Sequence, residues 1–236
     1  MKVVLLAAGQ GKRLRPLTER MPKPLVEVAG RPIIQHILDD MTKIRNLEIG
    51  IVVGHLGEQI IKKVGRRYGG LSISYITQDR LLGTGHAVLL TRDFVGEEPF
   101  LVYLADTYIT GDLAKIVEAL AQKKSHGIVV SKVSDDEALR SGQVIVSEGK
   151  VVDIVEKPKK VISNVVCAGV YYFYPQILRR LSRMFDGTEL DLTSAIRDLS
   201  LNEEVGVVWA DGFLDIGTLE GLRAADSYLR GRVLAR

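Results

Sequence analysis

The sequence predicts an α/β fold in which helices cover both faces of a mainly parallel, mixed sheet. Three observations support this prediction. The first apolar run, residues 2–7, is unbroken after Lys2, as in a strand that is buried on both faces. Short β-branched runs then alternate with longer segments of helical periodicity, as in repeated βα units. The sequence contains no repeat of 20–50 residues, which excludes a solenoid.

The N-terminal half is predicted to consist of these βα units. Pro32 is suited to open a helix, and the apolar positions from Ile33 to Ile44 follow helical spacing. A second helical stripe runs from Leu56 to Tyr68. Further helices are predicted near 84–91 and 113–120, and the predicted strands are 2–7, 48–53, 71–77, 100–105 and 127–133.

Beyond about residue 140 the pattern changes. Residues 144–157 contain two strand-like runs joined by a Ser-Glu-Gly-Lys turn, which predicts a β-hairpin. No Ser/Gly-rich linker follows, so we predict one domain over residues 1–236, with a first part at 1–139 and a smaller part at 140–236. The smaller part is predicted to add strands at 165–174 and 205–209, helices near 175–184 and 190–199, and a final helix after residues 217–218.

Composition and charge exclude several classes of protein. The chain has 32 Lys and Arg residues against 29 Asp and Glu residues, and this near balance does not favour a nucleic-acid partner. Its longest strongly apolar stretch, residues 165–174, is shorter than the roughly 18 residues that span a bilayer, so we expect no membrane partner. The single cysteine, Cys167, and the scattered histidines offer neither an intramolecular disulfide nor a zinc site. We therefore expect a cytoplasmic protein.

The most informative segment is the glycine-rich loop after the first strand, residues 6–25. Gly9 and Gly11 would let backbone N–H groups approach an anion closely. Pro22 and Pro24 bracket Lys23, which lowers the entropic cost of aiming its ammonium at a ligand. Cations are dense in and beside this segment, and the pattern indicates a triphosphate site. The basic residues are Lys2, Lys12, Arg13, Arg15, Arg20 and Lys23, against one acid, Glu19.

Two common phosphate-loop patterns do not fit this segment. A dinucleotide-binding fingerprint requires glycine at position 14, where the chain has Leu14, and a Walker A loop requires glycine where Leu6 stands. The plainer alternative is a solvated basic loop without a ligand. Packing alone, however, gives little reason for glycines, prolines and cations to occur together after the first strand.

Six motifs follow one another along nearly the whole chain. They are G-x-G-x-R-L-x-P-x-T with P-K-P-L in residues 9–25, Q-D-x-x-L-G-T-G-H-A at 78–87, L-A-D at 104–106, E-K-P at 156–158, A-G-V-Y at 168–171 and D-I-G-T at 215–218. This series resembles the signature of the sugar-1-phosphate nucleotidyltransferases, which include glucose-1-phosphate thymidylyl- and uridylyltransferases. The resemblance implies a Rossmann-like, GT-A-like nucleotidyltransferase fold.

The resemblance also implies a reaction and a set of site residues. A nucleotidyl group would pass from a nucleoside triphosphate to a sugar 1-phosphate with release of pyrophosphate, and Arg13 and Lys23 would be the catalytic cations. Asp106, directly after a strand, and Asp215 are predicted to hold Mg²⁺, which prefers one or two carboxylates together with phosphate oxygens. The predicted nucleotide-binding residues are Leu6, Ala7, Ala8, Gly9, Gly11, Gln78, Gly83 and Thr84, and the predicted substrate-binding residues are Gly142, Glu156, Lys157 and Gly169.

Some of these residues have plainer explanations. Asp106 alone could cap a turn, and Glu156 and Lys157 could form a surface ion pair. His86 is expected on a helix surface, and Cys167 is expected in the core. Three positions also depart from the family pattern: Ala105 replaces a usual Gly, Lys12 replaces a small hydroxyl residue, and Gly85 replaces a usual Ala.

Other functions stay open at this point. A glycosyltransferase should carry Asp-x-Asp near Asp106, where residues 105–108 are A-D-T-Y. A non-catalytic nucleotide-sugar-binding regulatory subunit would tolerate loss of the two catalytic cations or the two metal ligands, and all four are present. Glucose 1-phosphate with dTTP or UTP is the favoured pair, with mannose 1-phosphate, N-acetylglucosamine 1-phosphate and phosphocholine as alternatives. A homo-oligomer is also open.

Overall fold

The computed structural model describes residues 1–234, and its main element there is a ten-stranded mixed sheet. The strands are β1 (Lys2–Leu6), β2 (Glu27–Val28), β3 (Arg31–Pro32), β4 (Glu48–Val53), β5 (Arg67–Tyr68), β6 (Leu71–Thr77), β7 (Phe100–Leu104), β8 (Thr107–Thr110), β9 (His126–Lys132), β10 (Gly142–Ser147), β11 (Lys150–Glu156), β12 (Val165–Phe173), β13 (Val205–Trp209) and β14 (Gly212–Asp215).

Helices follow most of these strands. They are α1 (Ile33–Met41), α2 (Gly57–Val64), α3 (Gly83–Leu89), α4 (Arg92–Val95), α5 (Leu113–Gln122), α6 (Asp135–Ala138), α7 (Gln176–Met184), α8 (Leu192–Ser200) and α9 (Leu219–Leu234). None of the helices in residues 1–234 is long and apolar enough to cross a membrane.

The main sheet has the strand order β10-β11-β13-β9-β12-β7-β1-β4-β6-β5. Strands β7, β1, β4 and β6 form a parallel group, and β13 is parallel to β9. Strand β12 joins the two groups because it runs antiparallel to both β7 and β9. The predicted α/β fold with a mixed sheet is therefore confirmed.

Helices cover both faces of this sheet, as predicted. Val3 and Leu5 of β1 are buried on one face, in a core completed by α1, α2, α5 and α9. Val4 points to the other face, where α3, α7 and α8 pack. A central strand with cores on both sides explains why the first apolar run has no polar alternation.

The edge at which β1 and β7 end positions the candidate site. Leu6 and Leu104 are register partners in adjacent parallel strands. The loop after β1 and the turn that carries Asp106 therefore leave the sheet side by side, where open α/β sheets place their ligands.

The predicted hairpin is present, and two predicted helices are too long, since α1 ends at Met41, three residues before Ile44. Strands β10 and β11 pair antiparallel, and Glu148 and Gly149 in their turn have φ of 50° and 73°. Helix α2 ends at Val64, whereas helical spacing extended it to Tyr68. Gly65, with φ of 76°, ends the helix, and Tyr68 lies in β5.

The sequence analysis missed two small sheets. Strands β2 and β3 pair near α1, and β8 pairs antiparallel with β14, more than 100 residues later in the chain. The second pairing matters for function because it carries Asp215 to the turn that contains Asp106.

Candidate active site

The glycine-rich loop after β1 is folded into three short 3₁₀ turns, Lys12–Leu14, Leu17–Glu19 and Lys23–Leu25. Gly11 adopts φ of 63°, and its carbonyl accepts a 2.7 Å hydrogen bond from the Thr18 hydroxyl. A Cβ at Gly11 would lie 2.9 Å from Cγ2 of Thr18 and 3.2 Å from Cβ of Lys23. Gly11 is thus required by the folding of the loop itself, which holds Lys23 in place.

Lys23 is the most deeply placed cation of the loop. Its side chain is 7% exposed, and its Nζ donates a 2.7 Å hydrogen bond to Oδ2 of Asp106. Burial would raise the pKa of the Asp106 carboxyl, but the charge and hydrogen bond of Lys23, with the charge of Arg13, hold that pKa below its usual value. Asp106 is therefore an anion at neutral pH.

Arg13 makes the matching contact with the second predicted metal ligand. Its Nη1 lies 3.5 Å from Oδ2 of Asp215, and Oδ1 of Asp215 accepts a 2.8 Å hydrogen bond from the Gly217 N–H. A Cβ at Gly217 would lie 2.6 Å from Oδ1 of Asp215 and 2.9 Å from Nζ of Lys23, and it would overlap the Arg13 guanidinium. Three charged side chains therefore converge on one glycine of the D-I-G-T motif.

The strand pair β8–β14 joins the two aspartates. Asp215 is the register partner of Thr107, and the Ile216 N–H donates a 2.9 Å hydrogen bond to the Asp106 carbonyl. Both carboxylates are partly exposed, at 40% for Asp106 and 39% for Asp215. The structure thus brings together the two predicted catalytic cations and the two predicted metal ligands.

A first cavity, of about 430 Å³, opens beside this charged cluster. Seven of the eight predicted nucleotide-binding residues line it, and Ala7 does not. Ala7 is buried in the core and its N–H bonds the Val52 carbonyl. The lining residues that the sequence analysis named are Leu6, Ala8, Gly9, Gly11, Gln78, Gly83 and Thr84.

Gln78, in this first cavity, has its amide nitrogen engaged within the protein. The nitrogen lies 3.1 Å from the Gly83 carbonyl and 3.0 Å from Nδ1 of His86, and it donates to both. Both N–H donors of the amide are used in this way, and the amide oxygen remains as an acceptor. His86 lies on α3, where it is half-buried, and its contact with the amide nitrogen helps to orient Gln78.

Gly83 and Thr84 connect the cavity to the C-terminal part of the chain. Gly83 has φ of 92°, and a Cβ there would overlap the Leu190 carbonyl. The Thr84 hydroxyl accepts a 2.9 Å hydrogen bond from the Leu192 N–H, and the Gly85 N–H donates to the Leu190 carbonyl at 2.9 Å. This docking brings Glu189 to the wall of the cavity.

A second cavity, of about 610 Å³, lies on the other side of Asp106. All four predicted substrate-binding residues line it, namely Gly142, Glu156, Lys157 and Gly169. Both cavities are lined by Gly83, Thr84, Leu104, Asp106 and Glu189, so they meet at the charged cluster.

Glu156 is held on both carboxylate oxygens. Lys157 Nζ lies 2.7 Å from Oε1, and the Thr193 hydroxyl donates a 2.9 Å hydrogen bond to Oε2. Lys157 itself has φ of 41°, a left-handed conformation that is rare for a residue with a side chain and that clusters at functional sites. The E-K-P motif therefore forms an ion pair and also lines the cavity, with a fixed carboxylate and an unusual backbone conformation.

The sequence matches the family described as nucleotidyl transferase over residues 2–231. The chain belongs to this family.

Relatives of this nucleotidyltransferase carry specific names. The UTP–glucose-1-phosphate uridylyltransferase AglF of Haloferax volcanii is 34% identical over 237 residues, which cover 98% of this chain and 97% of the relative. A glucose-1-phosphate thymidylyltransferase of Streptomyces griseus is 34% identical over 202 residues, 84% of this chain but only 56% of the relative. A crystal structure from Bacillus anthracis, provisionally described as a glucose-1-phosphate thymidylyltransferase, has a TM-score of 0.89 at 26% identity and covers 98% of this chain and 95% of that one.

These relatives place the nucleotidyltransferase in the sugar-1-phosphate class, whose members join a nucleoside triphosphate to a sugar 1-phosphate. The resemblance found in the motifs is therefore confirmed, as is the assignment as an enzyme. Proteins of the family typically use a divalent metal ion.

The carboxylate oxygens of Asp106 and Asp215 are suitable ligands for such an ion. Hard cations such as Mg²⁺ take oxygen ligands, and these two carboxylates stand together at the meeting point of the cavities. Within residues 1–234 no group of three or more His, Cys, Asp and Glu side chains forms a ready-made metal cage. Two carboxylates suffice only if phosphate oxygens and water complete the coordination, as is usual for Mg²⁺ in nucleotide sites.

The sequence analysis missed several lining residues of this nucleotidyltransferase. Glu189 lines both cavities, and it lies in no motif that would have singled it out. Cys167, expected in the core, lines the second cavity, and burial raises the pKa of its thiol to about 11. The other unpredicted residues of the second cavity are Thr107, Arg140, Ser141, Tyr171, Asp191, Thr193 and Phe213, those of the first are Gln10, Leu81 and Ala87, and Leu104 lines both. Lys12, a cation of the predicted triphosphate loop, also lines the first cavity.

Proposed function

We propose that the protein transfers the nucleotidyl group of UTP or dTTP to glucose 1-phosphate, giving a nucleotide sugar and pyrophosphate. The observation that carries this proposal is the junction of two cavities at one cluster of opposite charges. Each cavity has room for one substrate, and the cluster lies where their phosphates would meet. The printed names of the Haloferax and Streptomyces relatives support the choice of bases and of sugar.

The first cavity would take the nucleotide. Its base and ribose would lie along the small residues Ala8 and Gly9 and against Gln78, while the triphosphate would lie along the loop that carries Lys12 and Arg13. Residues 1–139 supply most of this wall, which supports assigning them to nucleotide binding. Ala7 would support this wall only through the position of its backbone, since its side chain is buried in the core.

The second cavity would take the sugar phosphate. Glu156 would accept hydrogen bonds from sugar hydroxyls, and the Lys157 ammonium would meet the phosphate. Gly142 and Gly169 would let the sugar approach the backbone, since a Cβ at Gly142 would lie 3.1 Å from Oε2 of Glu156 and Gly169 has φ of 75°. Residues 140–236 supply most of this wall, in accord with the predicted division of a single domain.

The chemistry is an in-line displacement at phosphorus. A phosphate oxygen of glucose 1-phosphate would attack the α-phosphorus of the triphosphate, a new P–O bond would form, and the bond to the pyrophosphate oxygen would break. Two like charges 4 Å apart repel by about 4 kcal/mol even at an effective dielectric constant of 20. Lys23 and Arg13 would offset this repulsion and stabilise the charge that develops on the leaving pyrophosphate.

Asp106 and Asp215 would hold Mg²⁺. When bound, the ion would supply further positive charge and polarise the phosphoryl oxygens. The protein requires no nucleophile of its own, because both reacting groups belong to the substrates. Its residues bind and orient the two substrates and neutralise the charge of their phosphates.

The test is a matrix of nucleoside triphosphates against sugar 1-phosphates, with pyrophosphate release as the readout. UTP or dTTP with glucose 1-phosphate should turn over fastest, and mannose 1-phosphate, N-acetylglucosamine 1-phosphate and phosphocholine are the competing acceptors. A protein that binds nucleotide sugars but turns over no pair would be a regulatory subunit instead.

A pair of variants makes this test specific to the site. Asp106→Asn should lower turnover by about 100-fold or more, because a ligand of the metal ion that offsets the phosphate charge is lost. Asp211→Asn is the matched control, since this exposed aspartate on the approach to β14 lines neither cavity. Near-full activity of Asp106→Asn would refute the assignment of Asp106 to the metal.

A further inference from the structure

Each predicted metal ligand has a predicted phosphate-binding cation as its partner. Lys23 Nζ lies 2.7 Å from Oδ2 of Asp106, and Arg13 Nη1 lies 3.5 Å from Oδ2 of Asp215. The same cations are therefore assigned to two different partners, a carboxylate in the folded chain and a phosphate in the substrate complex. Each cation has further N–H donors, so the competition between the carboxylate and the phosphate is for its positive charge and its position rather than for a single hydrogen bond.

Lys23 illustrates why the carboxylate is needed. An ammonium that is 7% exposed is costly unless it is paired, and Asp106 provides the pair. The prolines on both sides of Lys23 and the packing of Gly11 against its Cβ leave its backbone little freedom. A change of partner therefore requires only the ammonium end of the Lys23 side chain to move, while the backbone of the loop stays in place.

The carboxylates, in turn, are poor metal ligands while they are so paired. An ammonium hydrogen-bonded to Oδ2 of Asp106 occupies one of the oxygens that a divalent cation would use, and its charge repels that cation. Only two carboxylates are available, because no larger group of metal-binding side chains exists in the part of the chain that the structure describes.

Phosphate oxygens change this balance. Arg and Lys form strong charge-assisted hydrogen bonds with phosphate, and a triphosphate offers several oxygens at once. A triphosphate in the first cavity would draw Lys23 and Arg13 toward itself and leave both aspartates with unneutralised charge. It would also supply the oxygens that complete the coordination of the metal.

We propose that Lys23 and Arg13 are exchangeable counter-ions which suppress metal binding to Asp106 and Asp215 until a triphosphate takes them. The divalent cation and the triphosphate then bind with positive coupling, and the ion is bound tightly only when there is a substrate to act on. This inference rests on the proposed function for the identity of the triphosphate. It adds a role for two residues that no motif assigns to them.

The test uses Mn²⁺ as the probe, with free Mn²⁺ counted by electron paramagnetic resonance in the absence of nucleotide. Lys23→Gln should bind Mn²⁺ at least about 5-fold more tightly than the unmodified protein, the lower end of usual coupling between sites. Arg13→Gln should show a smaller gain, since its contact with Asp215 is longer and more exposed. Adding a non-hydrolysable UTP analogue should tighten Mn²⁺ binding more in the unmodified protein than in either variant.

Two further variants separate this exchange from general electrostatics. Lys12→Gln removes a cation from the same loop that has no ion-pair partner in residues 1–234, and it should leave the Mn²⁺ affinity of the nucleotide-free protein nearly unchanged. The double variant Lys23→Gln, Asp106→Asn should lose the gain of Lys23→Gln, as a direct interaction between these two positions requires.

Unchanged or weaker Mn²⁺ binding by Lys23→Gln would overturn the inference, as would an equal gain for Lys12→Gln. These outcomes are distinct from failure of the proposed function. A protein that releases pyrophosphate but shows no gain in Lys23→Gln keeps its function and loses the exchange. A protein with the gain and no turnover keeps the exchange and loses the proposed function.

Discussion

The carbonyl oxygen of Leu190 lies so close to Gly83 that a Cβ at position 83 would overlap it. Through this contact the C-terminal part of the chain docks on the start of α3, and Glu189 comes to line both cavities. Gly83 is one of the residues that the sequence predicts to bind the nucleotide. Position 83 requires glycine because a side chain there would collide with the Leu190 carbonyl.

Gly83→Ala should therefore push the segment around Leu190 away from the start of α3 and disturb the wall that the two cavities share. The backbone strain at φ of 92° and the overlap with Leu190 should together cost about 1–3 kcal/mol of unfolding free energy. We expect turnover to fall by more than the loss of stability accounts for, because Glu189 and Thr84 move with the loop. Urea unfolding and steady-state kinetics on the same preparation measure both effects.

Gly187 provides the matched control for this variant. It has the same φ of 92°, but a Cβ there would meet no atom within 4 Å. Gly187→Ala should carry the backbone strain alone and keep most of the activity. Equal losses in the two variants would show that contact with Leu190 has no part in the effect.

The elements that the sequence predicted correctly are those with a local signal. After the charged residues Lys2 and Glu48, residues 3–7 and 49–53 contain no polar side chain and are almost entirely buried, and the helical stripe from Ile33 has a clear period. The hairpin at β10–β11 has its turn residues in place. Each of these depends on neighbours in the sequence, so composition and spacing suffice.

The parts that were missed depend on contacts between distant segments. Strand β8 pairs with β14, and Leu190 docks on Gly83, at separations of roughly 100 residues. The residues of one segment do not indicate which distant segment it will contact. Asp215 was found through its motif, and the reason it lies near Asp106 was visible only in the structure.

Gly217→Ala should displace the charged cluster without unfolding the protein. A Cβ there would overlap the Arg13 guanidinium and lie within 3 Å of Asp215 and Lys23, at 2.6 Å and 2.9 Å. We expect turnover to fall about 10-fold or more, since a misplacement of about 1 Å in such a site can cost 100-fold. The unfolding midpoint should change little, because the side chains of Arg13 and Asp215 are partly exposed and can shift.

Gly231→Ala is a suitable control for that variant. A Cβ at Gly231 would meet no atom within 4 Å, and the residue lies inside α9. Alanine there should be neutral or stabilising by up to about 1 kcal/mol, because glycine is a poor helix former. If Gly217→Ala kept full activity, the convergence of the three charged groups on this glycine would have no functional weight.

Thr193→Val should weaken binding of the sugar phosphate and leave nucleotide binding unchanged. The variant keeps the shape of the side chain but removes the hydroxyl that donates to Oε2 of Glu156. A hydrogen bond to a partly exposed charged group contributes about 1.5 kcal/mol, so the KM for the sugar phosphate should rise roughly 10-fold. Thr193→Ser should restore the original value, because it keeps the hydroxyl.

The ratio of the two KM values distinguishes this positioning role from a structural one. General damage to α8 would raise both KM values or lower the unfolding midpoint. A selective rise in the KM for the sugar phosphate at an unchanged midpoint requires that Thr193 acts through Glu156.

A buried carboxylate, that of Asp40, supports the strand pair β8–β14 from the side of α1. Asp40 of α1 accepts hydrogen bonds from the Tyr108 hydroxyl of β8 and from Lys43, and Arg232 of α9 lies 3.2 Å from it. Burial would raise the pKa of Asp40, but these hydrogen bonds and the charges of Arg232 and Lys43 hold it below its usual value. Tyr108 is paired with Leu214, the residue before Asp215, so this network supports the strand pair that carries the proposed metal ligand.

Asp40→Asn should lower the unfolding free energy at pH 7.5 by about 1.5–3 kcal/mol, the usual contribution of hydrogen bonds to a charged group. A carboxyl whose pKa is lower in the folded protein contributes stability above its unfolded pKa of about 3.9, and this contribution disappears as the pH falls through the folded pKa. The difference between the two proteins in urea unfolding should therefore be constant from pH 7.5 to 5 and shrink below pH 4. A difference that grew on acidification would mean that Asp40 is protonated more readily in the folded state, and that the cations around it do not outweigh its burial.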